Sequence, residues 1–406
     1  MRILQINNYN FIKGGADRVY FNTIKLLEDN NHVVADFSTL NPLNVDSLYT
    51  KYFIPLDDYR HKGIIGKIAG VKNYLYNSTS YRNLKKLIED FRPDIAHIHL
   101  FYGGLTSSIL KVLKEYNIPI VQSVHDYRIL CPANAFLDNK SRICEKCKNK
   151  FFVQCSFDRC LESNFFFSSI LTLEAYTRKY LLDPLEFIDH YIFVSRFSQA
   201  KHIEYDNRFS GKSSHLYNFT FISDTYSIRN NKSYFLFFGR LSKEKGLMTL
   251  LEAMKSLDVN LKIAGTGPLQ AEVEKYALSN KNVEYLYNKS GQELEELIAD
   301  ASFIIVPSEW YENNPMTILE AYAIGKPVIG ADIGGIPEIL VNNKTGFLFK
   351  SRSVDDLKMA IRNAASLSDS EYLNYSRFAR KFAEENFAPQ GHYTKLMEVY
   401  ANILNR

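Results

Sequence analysis

Residues 303–339 read FIIVPSEWYENNPMTILEAYAIGKPVIGADIGGIPEI, and their grammar sets the fold. The apolar run 303–306, closed by Pro307, is a buried strand in pattern. A loop follows over 308–314. The spacing then predicts a helix over 315–324, with Asn314 as N-cap, Pro315 at the first helical position and Gly325 as the stop. Residues 326–330 (KPVIG) return as a strand. Strand, loop, helix, strand places the loop at the C-terminal edge of a parallel sheet, where α/β folds bind ligands.

Two carboxylates mark that loop. Glu312 precedes the helix and Glu320 lies within it. Five residues of helix between Pro315 and Glu320 correspond to roughly 7–8 Å of rise, too far apart to hold one atom. The two glutamates suit opposite ends of an extended ligand. The unpaired N–H groups of the helix start lie between them and favour a phosphate. A nucleoside diphosphate sugar has that form. A glutamate beside a helix is also commonly just solvated, and either residue alone decides nothing.

The combination decides more. Glu312 and Glu320 in an E-x7-E spacing, the run EAYAIGKPVIG and the GGIPE that follows resemble the donor site of the retaining family 4 glycosyltransferases. These are two-lobed GT-B enzymes of the kind that build bacterial cell-surface polysaccharides. The resemblance implies an α/β chain of two Rossmann-like lobes with parallel sheets facing a central cleft. It places Glu312 on the transferred sugar and Glu320 on the nucleotide ribose, with Asn313 and Asn314 beside them.

Working outward, residues 234–238 (YFLFF) read as a buried strand leading into GRLSKEKG. Arg240 and Lys245 could clamp a diphosphate, one as a planar fork and one as a point charge. A basic pair in a loop is otherwise a solvated pair. In the family this G-R-L…K-G pattern holds the diphosphate and stabilises the leaving group, and Gly239, Arg240, Lys245 and Gly246 all match. Residues 261–264 form a strand ending in Gly265 of GTGP, near the nucleoside in relatives. Ser290 and Glu293 have the spacing of a capping box.

The N-terminal half opens with strand 2–6 and a glycine loop, Gly14–Gly15, before a helix running to about residue 27. Backbone can approach a phosphate there, although a glycine pair is more often an ordinary turn. The motif resembles the family's GGxE loop, with Asp17 where Glu is usual. His97 and His99 alternate on strand 94–100, and a core or cleft role outweighs a metal pair with no third ligand. His125 stands at the end of strand 118–124, where the family places a histidine beside the donor sugar, and Asp126 follows on the acceptor side. Residues 41–80 resist assignment because Pro and Gly break any period. Arg60, His61, Lys62, Lys67 and Lys72 give that stretch a basic tone, read either as a solvated face or as a membrane-facing surface.

All five cysteines, Cys131, Cys144, Cys147, Cys155 and Cys160, fall within 131–160. The Cys144-x2-Cys147 spacing suits one metal. Cys131 and Cys160 would complete a structural zinc site, with Cys155 as rival ligand. Reduced, unliganded thiols and disulfides stay open beside it.

Composition frames these readings. The chain has 406 residues, 46% hydrophobic and 23% charged, as expected of a globular protein of about two domains. A net charge of +4 is too small to argue for nucleic acid. No apolar run is long enough to span a bilayer, and the N-terminus runs straight into a strand. A cytoplasmic protein is expected, peripheral at the inner face of the membrane. The expected division is an N-terminal acceptor-side lobe over 1–205, a linker over 206–232, a donor lobe over 233–386 and a last helix, 387–406, crossing back. The implied reaction is retaining transfer from a nucleoside diphosphate sugar, a UDP-sugar over a GDP-sugar, without a catalytic metal. The implied acceptor is a saccharide or lipid-linked saccharide. A sugar-nucleotide epimerase and a non-catalytic sugar-nucleotide-binding scaffold are the rival readings.

Overall fold

The computed structural model describes residues 1–56, 64–222 and 234–405. The chain divides into two compact units, residues 1–216 with 393–406, and residues 217–392.

The first unit is built on a seven-stranded sheet: β1 (Arg2–Tyr9), β2 (Val33–Leu40), β3 (Ile54–Pro55), β4 (Ile95–Ile98), β5 (Ile120–Val124), β6 (His190–Phe193) and β7 (Ser213–His215). Its order is β3-β2-β1-β4-β5-β6-β7, with every pairing parallel. The second unit carries β8 (Phe235–Phe238), β9 (Leu261–Ala264), β10 (Val283–Tyr285), β11 (Phe303–Val306), β12 (Val328–Asp332) and β13 (Gly346–Lys350). Its order is β10-β9-β8-β11-β12-β13, again all parallel.

Both orders reverse direction beside the first strand of the unit, which opens a crevice at the strand ends. Helices on both faces require central strands that are apolar on both sides. β8 and β11 meet this requirement, with all four residues of each buried. The second core joins Phe235, Phe237, Ile263, Phe303 and Ile305 to helical residues such as Leu250 and Ile361. In the first unit the C-terminal helix Pro389–Leu404 lays Leu396, Tyr400 and Ile403 against Ile3, Ile95, Val121 and Ile192.

Several local expectations are corrected. The helix of the 303–339 unit is Met316–Ala323, with Pro315 in the cap position. Asn314 does not cap it; its Oδ1 accepts the backbone N–H of Asn218 at 2.9 Å instead. The helix does stop at Gly325, whose φ of +79° is left-handed. The Lys326 N–H reaches back to Ala321 O at 2.9 Å and the Gly325 N–H to Tyr322 O, closing a Schellman motif. Ser290 precedes the helix Gly291–Asp300 but makes no side-chain cap bond. The stretch 41–80 contains β3 and a helix, Ile64–Leu75. Arg60, His61 and Lys62 of its basic segment lie outside the described residues. The polar stretch after residue 205 begins with a short 3-10 segment, Asn207–Lys212, and β7; residues 223–232 of it lie outside the described residues.

Candidate functional site

The site of the second unit is assembled at its switch point, from the loops that follow β8, β9, β11 and β12. After β8 the chain passes Gly239 and Arg240 into a short turn, Lys243–Lys245, and then Gly246. Gly246 has φ +70°, and a β-carbon there would stand 1.7 Å from Pro307 O. The turn is therefore pressed directly onto the backbone that leaves β11. The Glu309 N–H bonds Glu244 O at 2.8 Å and fastens the two loops.

This contact delivers Lys245 to Glu312, with Nζ 2.7 Å from Oε1. The Ser308 hydroxyl donates to the same oxygen at 2.7 Å. Lys245 Nζ also lies 5.1 Å from the centroid of the Trp310 ring. Burial alone would raise the carboxyl of Glu312; the Lys245 ammonium and the Ser308 hydroxyl outweigh it and hold the group below its ordinary value. Glu312 is thus an anion at 5% exposure, balanced by a cation. The loop after β12 fixes its backbone. The Gly335 N–H donates to Glu312 O at 2.7 Å, and a β-carbon on Gly334 would lie 2.4 Å from that oxygen.

Gly265, after β9, has φ +137° and packs against Gly239, whose carbonyl oxygen would be 1.9 Å from an added β-carbon. The Gly239 N–H bonds Ala264 O at 3.0 Å and the Leu241 N–H bonds Thr266 O at 2.9 Å. No heavy atom lies within 4 Å of where a Gly239 β-carbon would stand. The Arg240 side chain is exposed and makes no hydrogen bond or ion pair among the described residues. Asn313 and Asn314 are buried. Asn314 is clasped to Asn218 through its backbone oxygen as well, at 3.0 Å, and its Nδ2 is buried without a hydrogen-bond partner among the described residues. Glu320, on the helix Met316–Ala323, is half-buried. The structure therefore brings together Lys245, Glu312 and the glycines, with Glu320 on the helix that leaves the same loop.

The other candidates lie in the first unit. His125, just beyond β5, meets His99 Nδ1 through its Nε2 at 2.9 Å, and the two rings stack with centroids 5.1 Å apart. His99 continues to Gln5 Oε1 at 3.2 Å. His97 stacks on His99 and holds Tyr400 OH at 2.6 Å and Ser123 Oγ at 2.8 Å. The H-x-H pair is thus a hydrogen-bonded stack, and His99 positions His125. Burial pushes His125 down to about 4, so it is neutral at neutral pH and can give a ligand one hydrogen bond.

Gly14 and Gly15 are exposed at the start of the helix Gly15–Asp29. Asp17 folds back beneath them, accepting the N–H groups of Gly14 at 3.0 Å and Lys13 at 3.2 Å, with Asn7 Nδ2 at 2.9 Å on its other oxygen. Asp126 accepts the Arg128 N–H at 3.0 Å.

Cys131, Cys144, Cys147, Cys155 and Cys160 lie close enough together to act on one another electrostatically. Among the described residues no group of three or more His, Cys, Asp or Glu is arranged to hold a metal ion. Some of the thiols also border an apolar core. Cys147 and Cys155 share a small core with Phe152, Leu171 and Ala175, and the Cys155 thiol hydrogen-bonds Cys160. Burial pushes the Cys131 thiol up to about 11.

Sequence reading passed over one contributor to the site, and one buried charge at the opposite edge of the sheet. Ser308 has no motif of its own and is visible only as a neighbour of Glu312. Lys326 lies inside an apolar strand pattern and is fully buried, its Nζ without a hydrogen-bond partner among the described residues. Burial lowers it to about 8 despite Asp300.

Comparison with known proteins identifies the family and the fold. The profile of Glycosyltransferase Family 4 matches residues 13–219, and that of the group 1 glycosyl transferases matches residues 218–382. An uncharacterized glycosyltransferase of Methanocaldococcus jannaschii is 32% identical over 155 residues, 37% of this chain and 44% of its own length. The chain spans less than half the length of the first curated relatives it matches. Sucrose-phosphate synthase of Thermosynechococcus elongatus superposes with a TM-score of 0.74 at 16% identity, covering 100% of this chain and 99% of that one. Anabaena HepE, solved with UDP and glucose, superposes with a TM-score of 0.67 at 18% identity, covering 99% and 100%. These likenesses establish the GT-B fold. With one profile ending where the other begins, on a chain of two parallel α/β units, the protein belongs to the group 1, family 4 glycosyltransferases.

Proposed function

We propose that the protein transfers a sugar, with retention of anomeric configuration, from a nucleoside diphosphate sugar to a saccharide or lipid-linked saccharide acceptor. The observation that carries this reading is the Lys245–Glu312 pair, 2.7 Å apart, at the switch point where a parallel sheet binds its ligand. Arg240 stands beside it with no ion pair among the described residues to compete for an anion.

On this reading Lys245 and Arg240 face the diphosphate. The bond from the anomeric carbon to the phosphate oxygen breaks, and the electron pair leaves with the phosphate. Cations held in place beside that oxygen stabilise the charge as it develops and so lower the barrier. The acceptor hydroxyl forms the new bond, and its proton passes to the departing phosphate. Glu312 already accepts from Lys245 and Ser308, which suits a carboxylate that orients the sugar better than one that attacks it. Glu320 holds the ribose, Asn313 and Asn314 line the loop, and the backbone at Gly265 meets the nucleoside. Neutral His125 gives the sugar a hydrogen bond, and Gly14–Gly15 keep the first glycine loop open to phosphate. The charge of Arg240 and Lys245 serves where a divalent cation otherwise would.

UDP is the favoured nucleotide, supported by the UDP in the HepE structure. Assembly of a surface polysaccharide at the inner face of the membrane is the favoured setting. Thermal unfolding against UDP, GDP, ADP and their sugar conjugates tests the reading. A ligand at about 100 times its dissociation constant stabilises the native state by about 2.7 kcal/mol. A shift with UDP that Glu320→Ala abolishes is expected. No shift with any nucleotide overturns the donor assignment. Inversion at the anomeric carbon of the product, read by NMR, overturns retention.

A further inference from the structure

The helix Phe165–Leu181 buries a charged pair beside Ile170, Leu171 and Ala175 and leaves large aromatic side chains outside. It spans 17 residues, about 25 Å, and Asn164 caps it by accepting the Phe167 N–H at 3.2 Å. A surface helix ordinarily buries its apolar stripe and exposes its charges. Here Glu174 and Arg178 point inward at 6% and 4% exposure. They pair with each other at 3.0 Å, and Arg178 also donates to the backbone oxygens of Arg128 at 2.9 Å and Ile129 at 3.2 Å. Ser168 and Thr172 face inward too, against the segment Val153–Phe157, with Thr172 Oγ1 2.8 Å from Ser156 Oγ.

The outward face has the opposite character. Phe165 and Phe166 are each 53% exposed, Leu173 49% and Tyr180 68%. At about 100° per residue these four, with Ser169, Tyr176 and Thr177, fall within an arc of about 120°. That arc carries no charge. Leu181 is exposed at the end of the helix. A patch of this kind on a folded surface marks an interaction site.

The flanks say what covers it. The Lys179 ammonium sits 4.6 Å from the centroid of the Tyr180 ring. Arg159, just before the helix, is exposed with no ion pair among the described residues. The neighbouring helix Ile64–Leu75 packs against this one and carries the exposed Lys72 near its end. No helix among the described residues is long and apolar enough to cross a membrane. Phenyl and tyrosyl groups on an uncharged arc, flanked by Lys179, Lys72 and Arg159 against one exposed acid, Glu162, match the acyl–headgroup boundary of an anionic bilayer.

We infer that the outward face of Phe165–Leu181 is a docking surface for an anionic lipid bilayer. Aromatic side chains enter the boundary region, and Lys72, Arg159 and Lys179 meet headgroup phosphates.

Co-sedimentation with vesicles of mixed phosphatidylglycerol and phosphatidylcholine, and of phosphatidylcholine alone, tests this. The wild-type chain is expected to partition onto the mixed vesicles. The Phe166→Glu/Leu173→Glu double variant is expected to lose about tenfold or more of that partitioning, with its thermal midpoint retained because both side chains are exposed. Lys72→Glu/Lys179→Glu is expected to weaken binding only on the mixed vesicles, an effect that high salt removes. Failure of the wild type to bind, or equal binding by Phe166→Glu/Leu173→Glu, overturns the inference. So does a wild-type dimer, seen by light scattering, that the same double variant dissolves; the cover would then be a second copy of the chain. Glu320→Ala is expected to bind vesicles like wild type while losing its response to UDP. Failure of the donor reading and failure of this one therefore remain separable.

Discussion

The two glycine loops of this protein lie at equivalent points of two sheets with the same strand order, yet they are built differently. In the first unit a β-carbon on Gly14 would meet no heavy atom within 4 Å. The nearby carboxylate, Asp17, is consumed on the loop's own N–H groups. In the second unit Gly246, Gly265 and Gly334 are each held against another loop's backbone, with 1.7, 1.9 and 2.4 Å left for a β-carbon. Charge there is presented rather than consumed, as the half-buried Lys245 paired with the buried Glu312, and as an exposed Arg240. One topology thus supports two uses of glycine. One leaves a backbone edge open to a ligand; the other lets loops approach closely enough to aim side chains.

The largest expected effect is on turnover. Glu312→Ala and Lys245→Ala are each expected to lower transfer by about 10³-fold in steady-state kinetics. His125→Ala, which loses one neutral hydrogen bond, should cost about tenfold. Equal losses at Glu312 and His125 would break the contrast between the charged site of the second unit and the neutral histidine of the first. Next comes stability. Gly265→Ala forces a β-carbon into Gly239 O at a left-handed φ and is expected to cost about 3 kcal/mol in urea unfolding.

A smaller effect separates the units by pH. Lys326 is lowered to about 8 from its ordinary 10.5. Between those values the unfolded chain binds more protons than the folded one, so stability rises with pH, by at most about 1.4 kcal/mol per unit. Below pH 8 both states are protonated and the penalty is constant. Lys326→Met should remove the slope and raise the thermal midpoint at neutral pH, followed by fluorescence of Trp310, the single tryptophan. In the first unit burial lowers His125, His202 and His215 to about 4. Their contribution is complete above the ordinary pKa near 6.5 and is lost as pH falls toward 4, which far-UV dichroism during acid titration checks. The smallest effect is Gly14→Ala, expected within about 0.5 kcal/mol of wild type. If that variant keeps its stability but loses nucleotide response, the glycine serves a ligand; a large loss of stability would erase the distinction between the loops.

Much of this was legible in the sequence because it is local. The run 303–306 is apolar throughout because β11 is buried on both faces, and Gly325 ends its helix because only glycine adopts the left-handed turn cheaply. The motif spacing singled out Lys245 and Glu312 separately. Their contact was not readable, because 67 residues separate them and only the packing of two loops joins them. The packing of the cysteines was unreadable for the same reason. A C-x2-C spacing fits a metal turn, but Cys147 faces an apolar core supplied by Leu171 and Ala175. Asn314 has the sequence of an N-cap and is captured by Asn218, 96 residues away.

By itself the sequence determined the alternation of strands and helices, the glycine turns and the residue types that carry charge, since these follow from periodicity and backbone sterics within a few residues. Only the tertiary structure decided which charges meet, which thiols are buried and which face of Phe165–Leu181 is turned outward. That helix has apolar residues all around it, so periodicity could not choose a side. The choice fell to the buried Glu174–Arg178 pair and the backbone oxygens of Arg128 and Ile129 that hold it in place.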